Sequence, residues 1–169
     1  MNEQPFHQGG DSDTPWFRGV YRENVASLLM RRDGRVLLGK CADDDLEWQF
    51  PQGGVDEDET RREAMLRELY EETKVRKSMV RVIAARSGYQ YTFPNGRLKK
   101  GVFCGQRQTY FLCAFMGSDE LLERTVSPTP EFSEFEWVDP AEFPLDRTPE
   151  FKHLVYRAVM RDFFKADLA

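Results

Sequence analysis

Three glutamates, Glu68, Glu71 and Glu72, stand in the i, i+3 and i+4 relation. On an α-helix this gathers three carboxylates on one face, with Cβ atoms about 5–6 Å apart. Such a cluster repels itself by only about 0.2–0.5 kcal/mol per exposed pair, so a solvated acidic stripe is its plain reading. A divalent cation would make the same stripe a site. Hard oxygen donors with no His or Cys among them select Mg²⁺ or Mn²⁺ rather than zinc. Upstream lies Pro51-Gln52-Gly53-Gly54, a turn in which proline fixes one dihedral and the glycines permit unusual ones.

Charge is segregated around this cluster. From Asp56 to Glu72 there are eight acids and three bases, a local net charge of −5 that equals the net charge of the whole chain. From Thr73 to Ser118 there is no acid, while nine Lys and Arg residues occur. Two solvated faces of opposite sign would produce this pattern. So would a division of labour in which acids hold metal ions and bases hold a polyanion, as phosphoryl chemistry requires.

The elements that must position these groups are legible from patterning. Residues 1–18 are polar, carry Gly9, Gly10 and Pro15, and read as a flexible arm ahead of one domain over 19–169. Apolar runs at Val25–Met30 and Val36–Lys40 flank Asp33-Gly34, a hairpin signal. Leu46–Phe50 reads as a strand feeding the glycine turn. Thr60 and Glu63 form a Thr-x-x-Glu capping box before a helix to Glu72, with Ala64, Met65 and Leu69 as its apolar stripe. Val80–Ala85, Tyr89–Phe93, Gln108–Phe115 and Phe135–Val138 read as strands. Thr148-Pro149 opens a last helix, where Phe151, Leu154, Val155, Ala158, Val159 and Phe163 fit a 3.6-residue period. The fold class is α/β, a mixed sheet with helices on its faces.

Composition excludes several classes. A chain of 169 residues that is 40% apolar builds one sizeable core. Its charge balance is neither that of a disordered acidic tail nor that of a general nucleic-acid binder, and DNA is not an expected partner. No apolar run approaches the roughly 20 residues of a membrane span, and no export signal is seen, so a cytoplasmic location is expected. The odd set Cys41, Cys104 and Cys113 has no disulfide or zinc spacing and reads as small buried apolar groups.

Gly53, Glu59, Arg67, Glu68, Leu69, Glu71, Glu72 and Val75 together resemble the Nudix box, G-x5-E-x7-R-E-U-x-E-E-x-G-U with U aliphatic. One position departs: Lys74 stands where the family has its second glycine. The resemblance implies a Nudix-type α/β/α sandwich that hydrolyses nucleoside diphosphate linkages with Mg²⁺ or Mn²⁺. It implies that Glu68, Glu71 and Glu72 are metal ligands and that Gly53 or Gly54 contributes a carbonyl. Arg67 and Glu59 would hold the loop and helix in register.

Further segments, Tyr21-Arg22-x-Asn24-Val25, Trp48 to Gly54, Gly105 to Phe111 and Pro130-Glu131-Phe132, resemble bacterial RNA pyrophosphohydrolases and plant-type asymmetric diadenosine tetraphosphate hydrolases. By that resemblance Glu131 joins the metal site as ligand or general base, Arg22 contacts phosphate, and Phe151 stacks on the first base or belongs to the helix's core stripe. Lys40, Lys99 and Lys100 are looser phosphate candidates. Gln106 and Gln108 share one strand face, expected to turn toward the substrate. The substrates expected are an RNA 5′-triphosphate end or, alternatively, a dinucleoside polyphosphate; a non-catalytic nucleotide-binding module is a third reading. Oligomeric state is left open.

Overall fold

A computed structural model describes residues 20–43, 47–122 and 130–169. The expected arm, 1–18, lies outside the described residues, as does the start of the strand expected at Leu46. Seven strands form one sheet: β1 (Val20–Met30), β2 (Val36–Cys41), β3 (Trp48–Gln49), β4 (Gln52–Gly54), β5 (Val80–Thr92), β6 (Phe103–Phe115) and β7 (Phe132–Val138). The order is β3-β2-β1-β6-β5, with β4 beside β1 and β7 beside β2. Strands β1 and β6 run parallel, with Arg22 opposite Gln106 and Asn24 opposite Gln108. The other pairings are antiparallel, so the sheet is mixed.

Both faces are covered. Successive side chains point to opposite sides of a strand. Val25 and Leu29 therefore pack with Leu37, Phe111 and Cys113 against Ala64, Met65 and Leu69 of α1 (Arg61–Thr73). Ala26 and Leu28 pack with Leu38, Phe50 and Tyr110 against Val155, Tyr156, Val159 and Met160 of α2 (His153–Phe164). A strand buried on both faces has no polar side to show, which is why the β1 and β2 sequences read as near-continuous apolar runs.

The capping box forms as expected. The Glu63 N–H donates to the Thr60 hydroxyl at 3.2 Å, and the Thr60 N–H donates to Glu63 Oε2 at 2.8 Å. At the other end Lys74 itself takes the left-handed conformation, φ 62°, and its N–H donates to the Tyr70 carbonyl at 2.8 Å. The stop that the family makes with glycine is thus made by a lysine, whose ammonium lies over the Tyr70 ring at 5.4 Å. A side chain in that conformation is strained, and glycine is not. We expect Lys74→Gly to stabilise the fold by about 0.5–1 kcal/mol, raising Tm by about 1–4 °C. A fall in Tm would show that the ring contact outweighs the strain.

Four expectations are corrected. The glycine turn is itself the short strand β4, held to β1. Val80–Ala85 and Tyr89–Phe93 are one strand whose register shifts between Arg86 and Tyr89, because backbone pairing bridges the irregularity that sequence reads as a break. Strand β6 begins at Phe103, five residues before the expected start, where glycine and glutamines hide a sheet interior. Pro149 caps a 3₁₀ turn, Glu150–Lys152, and the α-helix begins only at His153. That offset rotates the stripe: Leu154 is 61% exposed, whereas Tyr156, Met160 and the charged Lys152 are buried.

Candidate active site

Strand β4 is squeezed between β1 and α1, and its glycines are required by how close the neighbours come. A Cβ on Gly53 would lie 1.8 Å from the Glu68 carboxyl carbon, and one on Gly54 would lie 2.0 Å from an Arg22 guanidinium nitrogen. Three residues of backbone thus carry a helix carboxylate on one side and a β1 cation on the other. The obstruction at Gly53 is the end of a flexible side chain, so Gly53→Ala should fold while swinging Glu68 aside. The expected result is a 10- to 100-fold loss of divalent-cation affinity, measured by Mn²⁺ titration; unchanged affinity would remove Glu68 from the metal set.

Arg67 ties this loop to the helix. Its Nε donates to Glu59 Oε2 at 3.0 Å, one terminal nitrogen reaches Glu59 Oε1 at 2.5 Å and the Gly54 carbonyl at 3.0 Å, and the other reaches Glu68 Oε1 at 2.8 Å. The guanidinium holds the Glu59 carboxyl below its usual range, and the carboxylates raise the Arg67 pKa in turn, the Glu59 hydrogen bond most of all. The planar fork is what allows one side chain to meet all these acceptors.

Glu72 is the most perturbed of the three acids. It is 3% exposed. Burial, then the nearby Glu131 and Glu68 carboxyls, push its pKa well above 4.5, opposed by the Gln52 backbone N–H, which donates to Oε2 at 3.0 Å. Its Oε1 is buried without a hydrogen-bond partner. Glu68 is raised too, by burial first, against the pull of Arg67. Glu71 projects outward, its side chain 55% exposed and 3.5 Å from Arg67. Glu131 is exposed and lines a cleft of about 540 Å³ with Cys41, Asp43, Glu47, Gln49, Arg97 and Pro130. The Ala42 N–H pins its backbone carbonyl at 2.8 Å.

A cation fits this set. A buried carboxylate oxygen with no donor is costly unless a positive charge meets it, and the surrounding donors are oxygens throughout. Among the described residues no three acidic, His or Cys side chains converge closely enough to hold an ion as they stand.

The remaining sequence candidates divide. Arg22 reaches the loop at Gly54. Lys99 shares an electrostatic neighbourhood with Arg22, Glu131 and Arg97, and its pKa is lowered, first by desolvation and next by Arg22. Lys100 is an exposed loop residue at φ 52°. Lys40 is engaged across the strand pair with Glu134 at 3.1 Å. Phe151 packs on Tyr91 and Phe93, with ring centroids 5.4 and 6.3 Å away, half-buried at the core's edge. Gln106 and Gln108 do share a face and both are buried on it, 3% and 1% exposed, with Gln108 hydrogen-bonded to Gln52 of β4 at 2.7 Å. Parallel pairing with β1 buries them, which alternation alone does not reveal. Missed altogether was Lys152, because a lysine beside a helix start reads as solvated.

The three cysteines are all free; Cys113 is buried and Cys41 and Cys104 half-buried. Burial pushes the Cys41 thiol up to about 11 and Cys113 up to about 12, which leaves both protonated and unreactive. No helix among the described residues is long and apolar enough to cross a membrane.

Comparison with known proteins bears on family and fold. An RNA pyrophosphohydrolase from Novosphingobium aromaticivorans is 40% identical over 154 residues, covering 87% of this chain and 95% of that protein. One from Erythrobacter litoralis is 41% identical over 150 residues, covering 85% and 90%. Among solved structures, a NUDIX hydrolase from Nitrosomonas europaea superposes with a TM-score of 0.61 at 19% identity, covering 90% of this chain and 77% of that one. A C. elegans Ap4A hydrolase superposes at 0.59 and 17%, covering 84% and 99%. At those identities the superpositions speak for the α/β fold alone. The NUDIX domain model matches residues 20–159, and with the box residues gathered around one glycine strand, this chain belongs to the Nudix family.

Proposed function

We propose that this protein is an RNA pyrophosphohydrolase that converts the 5′-triphosphate end of RNA to a monophosphate with Mg²⁺ or Mn²⁺. The observation that carries the reading is the buried Glu72 Oε1, which has no hydrogen-bond donor and lies close to the carboxyl of Glu131, itself solvent-facing at the cleft, in a chain related over most of its length to proteins of that name. Glu68, Glu71, Glu72 and Glu131, with the Gly53 carbonyl, would hold the cation. When bound, such an ion neutralises phosphate oxygens and lowers the pKa of coordinated water. Arg22 and Lys99 hold the phosphate chain from the basic side of the loop. Glu131, open to solvent, accepts the proton of the attacking water. Arg67 keeps Glu68 and the Gly54 carbonyl in register, and Phe151 offers an aromatic edge for the first base. RNA needs few base contacts here, so a net charge of −5 is compatible with it.

The test is side-by-side product analysis on 5′-labelled triphosphate RNA and diadenosine tetraphosphate with Mg²⁺. Monophosphate RNA with released pyrophosphate or phosphate supports the reading. Cleavage of the dinucleotide alone assigns the alternative substrate, and turnover of neither assigns a binding module.

A further inference from the structure

Lys152 is 4% exposed, and its ammonium donates to Gln49 Oε1 at 2.7 Å. It lies over the Tyr91 ring at 5.3 Å. A hydrogen-bonded series of amides leads away from it. Gln49 Oε1 also accepts from Gln52 Nε2 at 3.0 Å. Gln52 Oε1 accepts from Gln108 Nε2 at 2.7 Å, and the same nitrogen donates to Asn24 Oδ1 at 2.8 Å. Gln108 Oε1 accepts from the Tyr110 hydroxyl at 2.9 Å.

The sense of this series follows from its first member. An amide side chain has an acceptor end and a donor end and can face either way, whereas an ammonium only donates. Gln49 must therefore present its oxygen to Lys152. That oxygen then requires the NH₂ end of Gln52, which leaves the Gln52 oxygen for the NH₂ of Gln108 and the Gln108 oxygen for Tyr110. One buried cation selects one orientation for three glutamines. The series ends on the metal side of the site, because the backbone N–H of Gln52 is the group that holds Glu72 Oε2 at 3.0 Å and leaves Oε1 without a partner.

We propose that Lys152, acting through Gln49, is a positioning residue of the metal centre: its donor-only head orients the Gln49–Gln52–Gln108 series, which anchors the Gln52 N–H that aims Glu72. This rests on the reading of Glu72 as a metal ligand. It assigns Gln52 and Gln108 a role beneath the site instead of contact with substrate. Groups that orient metal ligands from outside typically change metal affinity 10- to 100-fold when lost.

The test is Mn²⁺ binding to the metal-free protein without any nucleotide, followed by electron paramagnetic resonance, a readout that loss of a substrate contact would not move. Lys152→Met and Gln49→Met should each weaken Mn²⁺ binding at least 10-fold, while Gln49→Glu, which keeps the acceptor, should stay within about 3-fold of the parent. Circular dichroism checks the fold. If a single variant fails to fold because a buried polar partner is orphaned, the double variant Gln49→Met/Lys152→Met, which orphans neither of the pair, carries the same expectation. Mn²⁺ affinity within 2-fold of the parent in the folded disrupting variants overturns the relay but leaves the metal site standing. A parent protein that binds no Mn²⁺ overturns both. Substrate identity does not enter, so failure of the RNA reading would be seen separately.

Discussion

Glu72→Gln is expected to lower kcat on triphosphate RNA by about 10³-fold at saturating Mg²⁺, within the range for loss of a group essential to a metal-assisted proton transfer. The substitution keeps the shape and the oxygen facing the Gln52 N–H and removes only the charge. Stability should move the other way. The folded-state pKa of Glu72 is raised, so its contribution to stability is fully present below the unfolded value, about 4.5, and is lost as pH rises through the folded value. The metal-free parent should therefore lose Tm relative to Glu72→Gln as pH is raised from about 4.5 toward 8, and Mg²⁺ should restore it by binding the carboxylate form. Thermal melts across that range, with and without Mg²⁺, check the sign. A variant that keeps its rate removes Glu72 from the metal centre.

Arg67→Ala should damage both rate and fold. Glu59 and Glu68, whose side chains are each 16% exposed, would lose their shared cation, and the Gly54 carbonyl would lose its donor. Breaking a fully buried pair costs about 3–5 kcal/mol. Arg67 is itself 31% exposed, so solvent screening reduces this to about 2–3 kcal/mol, or a Tm lowered by about 5–10 °C. With β4 no longer tethered to α1, kcat should fall about 10²-fold. Arg67→Lys should recover part of the stability but little of the rate, because a point charge cannot meet Glu59, Glu68 and the carbonyl together. Denaturant melts and steady-state kinetics on both variants separate the two effects. A stable Arg67→Ala protein would mean that the contacts made by Arg67 are surface ion pairs of little weight.

Lys74 shows how much of the fold is written locally. The capping box of Thr60 and Glu63 forms as its spacing requires, because a helix end closes within a few residues and needs nothing from the rest of the chain. The same locality brought Glu68, Glu71 and Glu72 to one ridge. What happens at Lys74, a left-handed lysine in place of glycine, is also local, but residue type alone does not disclose it: the backbone accepts strain there because the Tyr70 carbonyl and ring receive the cap.

The sequence by itself determined the α/β class, the capped acidic helix and the family pattern, since all of these depend on spacings of a few residues. Tertiary structure alone decided which acid is buried, that Gln106 and Gln108 face inward, and that Lys152 lies in the core 103 residues along the chain from its partner Gln49. The first depends on β4 lying against α1, and the others on the parallel pairing of β1 with β6 and on where α2 begins. Burial and electrostatic environment are sums over neighbours far away in sequence, which no short pattern of residues contains.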